Sequence, residues 1–143
     1  MVSPAGTYRL QLGPDCTFDG AAGLMGYLAD LGVSHAYLSP VLQAAPGSTH
    51  GYDVTDPTAV SAELGGTEAF ARMVAAARGD RIGLLLDIVP NHVSTDPANP
   101  WWWDVLAHGR ASPAARLFDV DWDPPEPKLR DRLLLPVLGD HFG

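Results

Sequence analysis

Short β-prone runs along the chain alternate with longer stretches in which apolar residues recur every three or four positions, the mark of an amphipathic helix. Thr7-Tyr8-Arg9-Leu10-Gln11-Leu12 predicts a first strand, stopped by Gly13-Pro14. Thr17 is a capping residue for a helix whose apolar positions are Ala21, Leu24, Met25, Leu28 and Leu31, with Gly32 at the position after the last turn. Gly20, Gly23 and Gly26 weaken that helix by up to about 1 kcal/mol each relative to alanine, so it must rely on packing. Residues 33–40 predict a second strand, and residues 43–66 read as one long polar loop. Thr67 is the expected cap of a second helix, with Phe70, Met73, Val74 and Ala77 on one face and Gly79 at its end. Residues 82–88 predict a third, buried strand that runs into Asp87 and stops at Pro90.

This β-α-β-α-β order belongs to parallel strands joined by right-handed crossovers, as in a barrel or a doubly wound sheet. In both architectures chemistry is done at the C-terminal ends of the strands. After His92 the pattern changes. Asn99-Pro100 is a cap and first-turn pair for a short helix over residues 101–108, closed by Gly109. Asp123-Pro124-Pro125-Glu126-Pro127 must be extended or turning. Residues 133–138 are apolar and suit a strand.

The polar residues that interrupt these patterns carry the candidate chemistry. Asp87, followed by Asn91 and His92, ends an apolar strand, where a carboxylate is costly unless it is paired or hydrogen-bonded. It is either a cap for the following turn or part of a cluster that holds ligand hydroxyls. His50-Gly51-Tyr52-Asp53 combines a close-approach glycine, a flat ring with a polar tip and an acceptor, which suits a sugar; a tyrosine packed on the core is the other reading. Trp101-Trp102-Trp103 cannot all face one way on a helix, so at least one is expected to pack inward and one to lie outside.

Composition narrows the classes. With 9 basic against 17 acidic residues and a net charge of −8, no basic stripe exists to neutralise phosphates, so nucleic acid is not an expected partner. The single cysteine, Cys16, and the absence of a basic and apolar leader at Met1 favour a cytoplasmic location, and no apolar run is long enough for a membrane span. No phosphate loop, dinucleotide motif, CxxC or HExxH is present, and the five histidines are scattered, so neither a metal nor a cofactor is expected.

Four tracts together carry a resemblance. Tyr8-Arg9-Leu10-Gln11, His35-Ala36-Tyr37-Leu38-Ser39-Pro40, Ser48-Thr49-His50-Gly51-Tyr52-Asp53 and Asp87-Ile88-Val89-Pro90-Asn91-His92 resemble the N-terminal part of the α-amylase superfamily, glycoside hydrolase family 13. Residues 44–53, Asn99-Pro100-Trp101-Trp102-Trp103-Asp104-Val105-Leu106 and Leu133-Leu134-Leu135-Pro136-Val137-Leu138-Gly139 narrow the resemblance to the maltooligosyltrehalose synthase branch. Residues 119–132 depart most from it.

The resemblance implies an α/β fold: the three N-terminal βα units of a TIM (β/α)₈ barrel, plus the start of the excursion after strand three. Residues 1–92 would be the partial barrel and residues 93–143 the start of an inserted subdomain. A complete barrel takes about 250 residues. The implied reaction converts the reducing-end α-1,4 bond of a maltooligosaccharide into an α,α-1,1 bond, and a trehalohydrolase would follow it in the pathway. It proceeds with retention, through an aspartate nucleophile and a glutamic acid proton donor. Both of those residues, and a third carboxylate, are expected beyond Gly143, so the fragment alone is expected to be inactive. Carried over by position, Tyr52 stacks on the sugar, Asp53, Asp87 and His92 orient it, His50 joins them, and Asn91 holds the loop. The synthase branch needs no metal. An amylase-like hydrolase and a non-catalytic glucan-binding remnant are the alternatives.

Overall fold

Parallel strand pairing organises the first part of the chain. The computed structural model describes residues 3–135, and the chain divides into two compact units, Met1–Asn99 and Pro100–Gly143. The first runs β1 (Thr7–Leu10), α1 (Phe18–Asp30), β2 (His35–Leu38), β3 (Leu42–Ala44), β4 (Val54–Val60), α2 (Gly66–Gly79) and β5 (Gly83–Leu86). Strands β1, β2 and β5 form a parallel sheet in the order β1-β2-β5, as the alternation of strand and helix implies. In register, Arg9 lies opposite Tyr37, and Tyr37 opposite Leu85.

Because side chains alternate across a strand, this register sorts the sheet into two faces. Leu10, Ala36 and Leu38 share one face and are buried in a core with Phe18, Met25 and Met73 from the two helices. Phe18 meets Phe70 edge to face, with ring centroids 5.3 Å apart, which ties α1 to α2. The other face carries Arg9, Tyr37 and, one step beyond β5, Asp87, so it is the polar face that leads to the candidate site. On that face Gly83 lies beside His35 in the register, and a Cβ at Gly83 would overlap the imidazole ring. The glycine makes room for a buried histidine.

Helix α1 starts where the sequence places it: Thr17 Oγ1 accepts the Gly20 N–H at 3.4 Å, and Gly32, at φ +83°, follows its end. Several expectations for the first unit are corrected. Leu24 and Leu31 are exposed, because they lie about a quarter-turn off the buried stripe of Phe18, Ala21, Met25 and Leu28. Gly65, not Thr67, takes the cap position of α2, and Thr67 falls inside the helix. Residues 43–66 are not one loop. They contain most of the antiparallel pair β3–β4, whose register shifts at Gln43 and whose second strand includes Pro57. The third strand is shorter and less buried than its apolar run suggests; Leu86 is 43 % and Ile88 63 % exposed, because β5 pairs only with β2 among the described residues.

The second unit opens with α3 (Pro100–His108), followed by turns of 3₁₀ helix. Trp102 is buried against Phe118, with centroids 5.3 Å apart, while Trp103 is 46 % exposed, the split expected of adjacent tryptophans. Arg110 binds Asp123 at 2.9 Å and Asp131 at 3.1 Å and lies over the Trp122 ring. The proline-rich tract turns at Glu126, whose carboxylate accepts the Lys128 N–H. Residues 133–135 are not a strand, and the rest of that expected strand, residues 136–138, lies outside the described residues. Among the described residues no helix is long and apolar enough to cross a membrane.

Candidate functional site

Strand ends and one loop converge on Asp87. Its backbone N–H donates to Leu38 O at 3.0 Å, which continues the sheet pairing one residue past β5 and fixes where the carboxylate leaves the sheet. Tyr37 reaches it from β2 and donates its phenolic hydrogen to Asp87 Oδ2 at 3.1 Å. Tyr52 reaches it from the loop between β3 and β4 and donates to the same oxygen at 2.7 Å. Arg9, from β1, donates to Tyr52 Oη at 3.0 Å and to Gln11 Oε1 at 2.9 Å. Its guanidinium lies 5.4 Å from the Tyr37 ring centroid and 3.9 Å from Asp87 Oδ2.

Charge and burial follow from this contact set. The Asp87 side chain is 17 % exposed and that of Arg9 40 %, so the pair sits at the solvent boundary. The Tyr37 phenol is pushed above its ordinary range, first by its hydrogen bond to Asp87, then by loss of water and by the charge of Asp87; Arg9 works against the rise. The Arg9 guanidinium is held above its ordinary value chiefly by its bond to Tyr52.

The loop that delivers Tyr52 is held from within. Ser48 donates its hydroxyl hydrogen to Asp53 Oδ1 and accepts the Gly51 N–H at 3.0 Å. Gly51 sits at φ +78°, and a Cβ there would lie 3.2 Å from Pro40 O, so both backbone and space favour glycine. His50 Nδ1 accepts the Tyr52 N–H at 3.0 Å, and the two rings stack with centroids 6.0 Å apart. Asp53 Oδ1 lies 3.8 Å from the same nitrogen.

The six residues singled out from sequence thus divide. Tyr52 and Asp87 are bonded directly, and His50 and Asp53 flank Tyr52 on its loop. Asn91 and His92 are exposed and pair with each other, His92 Nδ1 lying 3.2 Å from Asn91 Oδ1. Among the described residues no hydrogen bond joins that pair to Asp87. Sequence reasoning assigned no role to Arg9 and Tyr37. Their signal was an arginine and a tyrosine at matching places in two β-prone runs, which acquires meaning only with the register. Among the described residues no three His, Cys, Asp or Glu side chains gather as a metal site would require. The arrangement offers a carboxylate, two phenols and an aromatic face: groups that hold and orient hydroxyls.

Residues 13–128 match the family model of the α-amylase catalytic domain. A protein of Mycobacterium tuberculosis described as a putative maltooligosyl trehalose synthase is 55 % identical over 141 residues, which is 93 % of this chain and 18 % of that protein. Among solved structures, the maltooligosyltrehalose synthase of Arthrobacter ramosus superposes with a TM-score of 0.79 at 50 % identity, over 83 % of this chain and 16 % of that one. The α-amylase of Geobacillus thermoleovorans, at 23 % identity and a TM-score of 0.61, covers 69 % of this chain and 25 % of its own and shares the fold. The chain therefore spans less than one fifth of the length of the synthases it matches.

Proposed function

The chain belongs to the α-amylase catalytic-domain family, and from that premise we propose that it works within a longer enzyme as part of the site that holds a linear α-1,4-glucan. The enzyme is an intramolecular glucosylmutase. It moves the reducing-end glucose of a maltooligosaccharide from an α-1,4 to an α,α-1,1 bond, forming maltooligosyltrehalose for a trehalohydrolase to cleave. The observation that carries this reading is the bond from Tyr52 to Asp87, which sets an aromatic face and a carboxylate side by side at the end of a parallel sheet. A glucose ring has an apolar face and a rim of hydroxyls, so it asks for that pairing. The likeness to synthases over nearly the whole chain supports the mutase over a hydrolase.

In this reading residues 1–92 are the first three βα units of the barrel and residues 93–143 open the subdomain inserted after the third strand. Tyr52 stacks on the sugar, Asp53, Asp87, His50 and His92 orient it, and Asn91 supports the loop. The nucleophile and the proton donor of a retaining mechanism come from elsewhere in the longer polypeptide. The freed glucose must turn in place while water is kept from the glycosyl-enzyme.

The test is product analysis on maltopentaose with the polypeptide at its natural length. A non-reducing pentasaccharide is expected. Release of new reducing ends as the main product would assign an amylase-like hydrolase instead, and no turnover with retained binding would assign a glucan-binding module.

A further inference from the structure

Arg9, Tyr52, Asp87 and Tyr37 form a chain of hydrogen bonds whose direction is set at one end. An arginine has donors and no acceptor. Since Arg9 donates to Tyr52 Oη, the phenolic oxygen is the acceptor in that bond, and its one hydrogen is left for Asp87 Oδ2. Tyr37 donates to the same oxygen, and its ring lies under the Arg9 guanidinium. Two donors fill the two lone-pair directions of Oδ2. Arg9 itself stays 3.9 Å away, outside hydrogen-bond range. We propose that Arg9 is a positioning residue: by donating to Tyr52 while lying over Tyr37, it directs both phenolic hydrogens onto Asp87 Oδ2 and so fixes the orientation in which the Asp87 carboxylate meets the sugar.

The sequence supports the geometry from both sides. Arg9 is fixed on β1 by its register with Tyr37 and by its second bond, to Gln11. Tyr52 rides a loop with no sheet partner of its own, so the Arg9 bond is what ties that loop to β1. Lysine cannot replace the arginine in full. A single ammonium can meet Tyr52, but it lacks the planar fork that reaches Tyr52 and Gln11 together while covering a ring.

The inference rests on the sugar-site reading above, and its test separates the two. Arg9→Gln, Tyr52→Phe and the double variant are made in the polypeptide at its natural length, with Arg9→Lys as the conservative change. Turnover of maltopentaose and the urea unfolding midpoint are measured for each. Arg9→Gln is expected to lower kcat/KM about tenfold or more alone, but only about twofold when Tyr52 is already phenylalanine, because the arginine acts through that hydroxyl. Arg9→Lys is expected to recover part of the loss. An equal loss in both backgrounds, or no loss in either, overturns the inference while leaving the sugar site in place. Should the wild type neither bind nor convert maltooligosaccharide, the sugar-site reading fails by itself. The unfolding midpoints then decide the role of Arg9: non-additive losses keep its action through Tyr52, and additive losses overturn it.

Discussion

The hydroxyl of Tyr52 donates to Asp87 Oδ2 across 2.7 Å, joining a loop between two antiparallel strands to the end of a parallel one. The two residues are 35 positions apart in sequence, and each was a candidate on separate grounds. Their contact sets two of the residues singled out from the sequence against each other.

Tyr52→Phe removes the acceptor of Arg9 and one donor to Asp87 at a single atom. The ring and its stacking face remain, so loss should appear in catalysis more than in folding. We expect kcat/KM for maltopentaose to fall by about 10-fold or more, in line with one hydrogen bond to a charged group, and the unfolding midpoint to move little. A midpoint loss comparable to that of a core truncation would make Tyr52 a packing residue instead.

Gly83→Ala should destabilise the first unit by about 1–3 kcal/mol, the usual cost of forcing an added methyl into a packed place. The reason is local: the new Cβ overlaps the His35 ring across the β2–β5 pairing. His35→Ala in the same chain should restore much of the loss by emptying that space. Urea denaturation of the three variants checks this, and a double variant no more stable than Gly83→Ala would remove the explanation.

Tyr37 gives a pH dependence whose sign is fixed by its environment. Its folded pKa is raised, chiefly because Asp87 accepts its hydrogen. The stabilisation is therefore fully present below the ordinary phenol range and is lost as pH rises through that range to the higher folded value. The measurement is the unfolding midpoint between neutral and alkaline pH, in wild type and in Asp87→Asn. The alkaline loss assigned to Tyr37, obtained by difference from Tyr37→Phe, should shrink in the asparagine variant. An undiminished loss would place its cause elsewhere.

At the acid end, Asp19 should behave in the opposite sense. Arg72 clamps it with two bonds of 2.8 Å and holds its carboxyl below the usual range, so the contribution is present at neutral pH and fades as pH falls through and below the ordinary carboxylate value. Both side chains are more than half exposed, so the effect should be small and should vanish in high salt. An Asp19→Asn variant with an acid transition identical to wild type in low salt would contradict it.

How much of this was legible beforehand depends on how local the signal was. Helix α1 was readable because its cap, Thr17, and its closing glycine are set within one segment, while its apolar stripe was only half legible, since Leu24 and Leu31 face outward and Phe18 inward. The parallel order was readable because strand and helix periods alternate. The β3–β4 pair was not: β3 has three residues, its register slips at Gln43, and Pro57 sits in its partner, so no clean alternation marks it. Tyr52 and Asp87 were visible as residues whose chemistry exceeds what their patterns need. Arg9 and Tyr37 were not, because an exposed arginine on a short strand has no meaning until the register sets it over a phenol.

The most direct measurement is calorimetric titration of maltoheptaose into the polypeptide at its natural length and into its Asp87→Asn variant. Saturable binding to the wild type, weakened about tenfold or more in the variant and absent for a β-1,4-linked oligosaccharide, is the result this site predicts. Equal binding by both proteins, or none by the wild type, would contradict it.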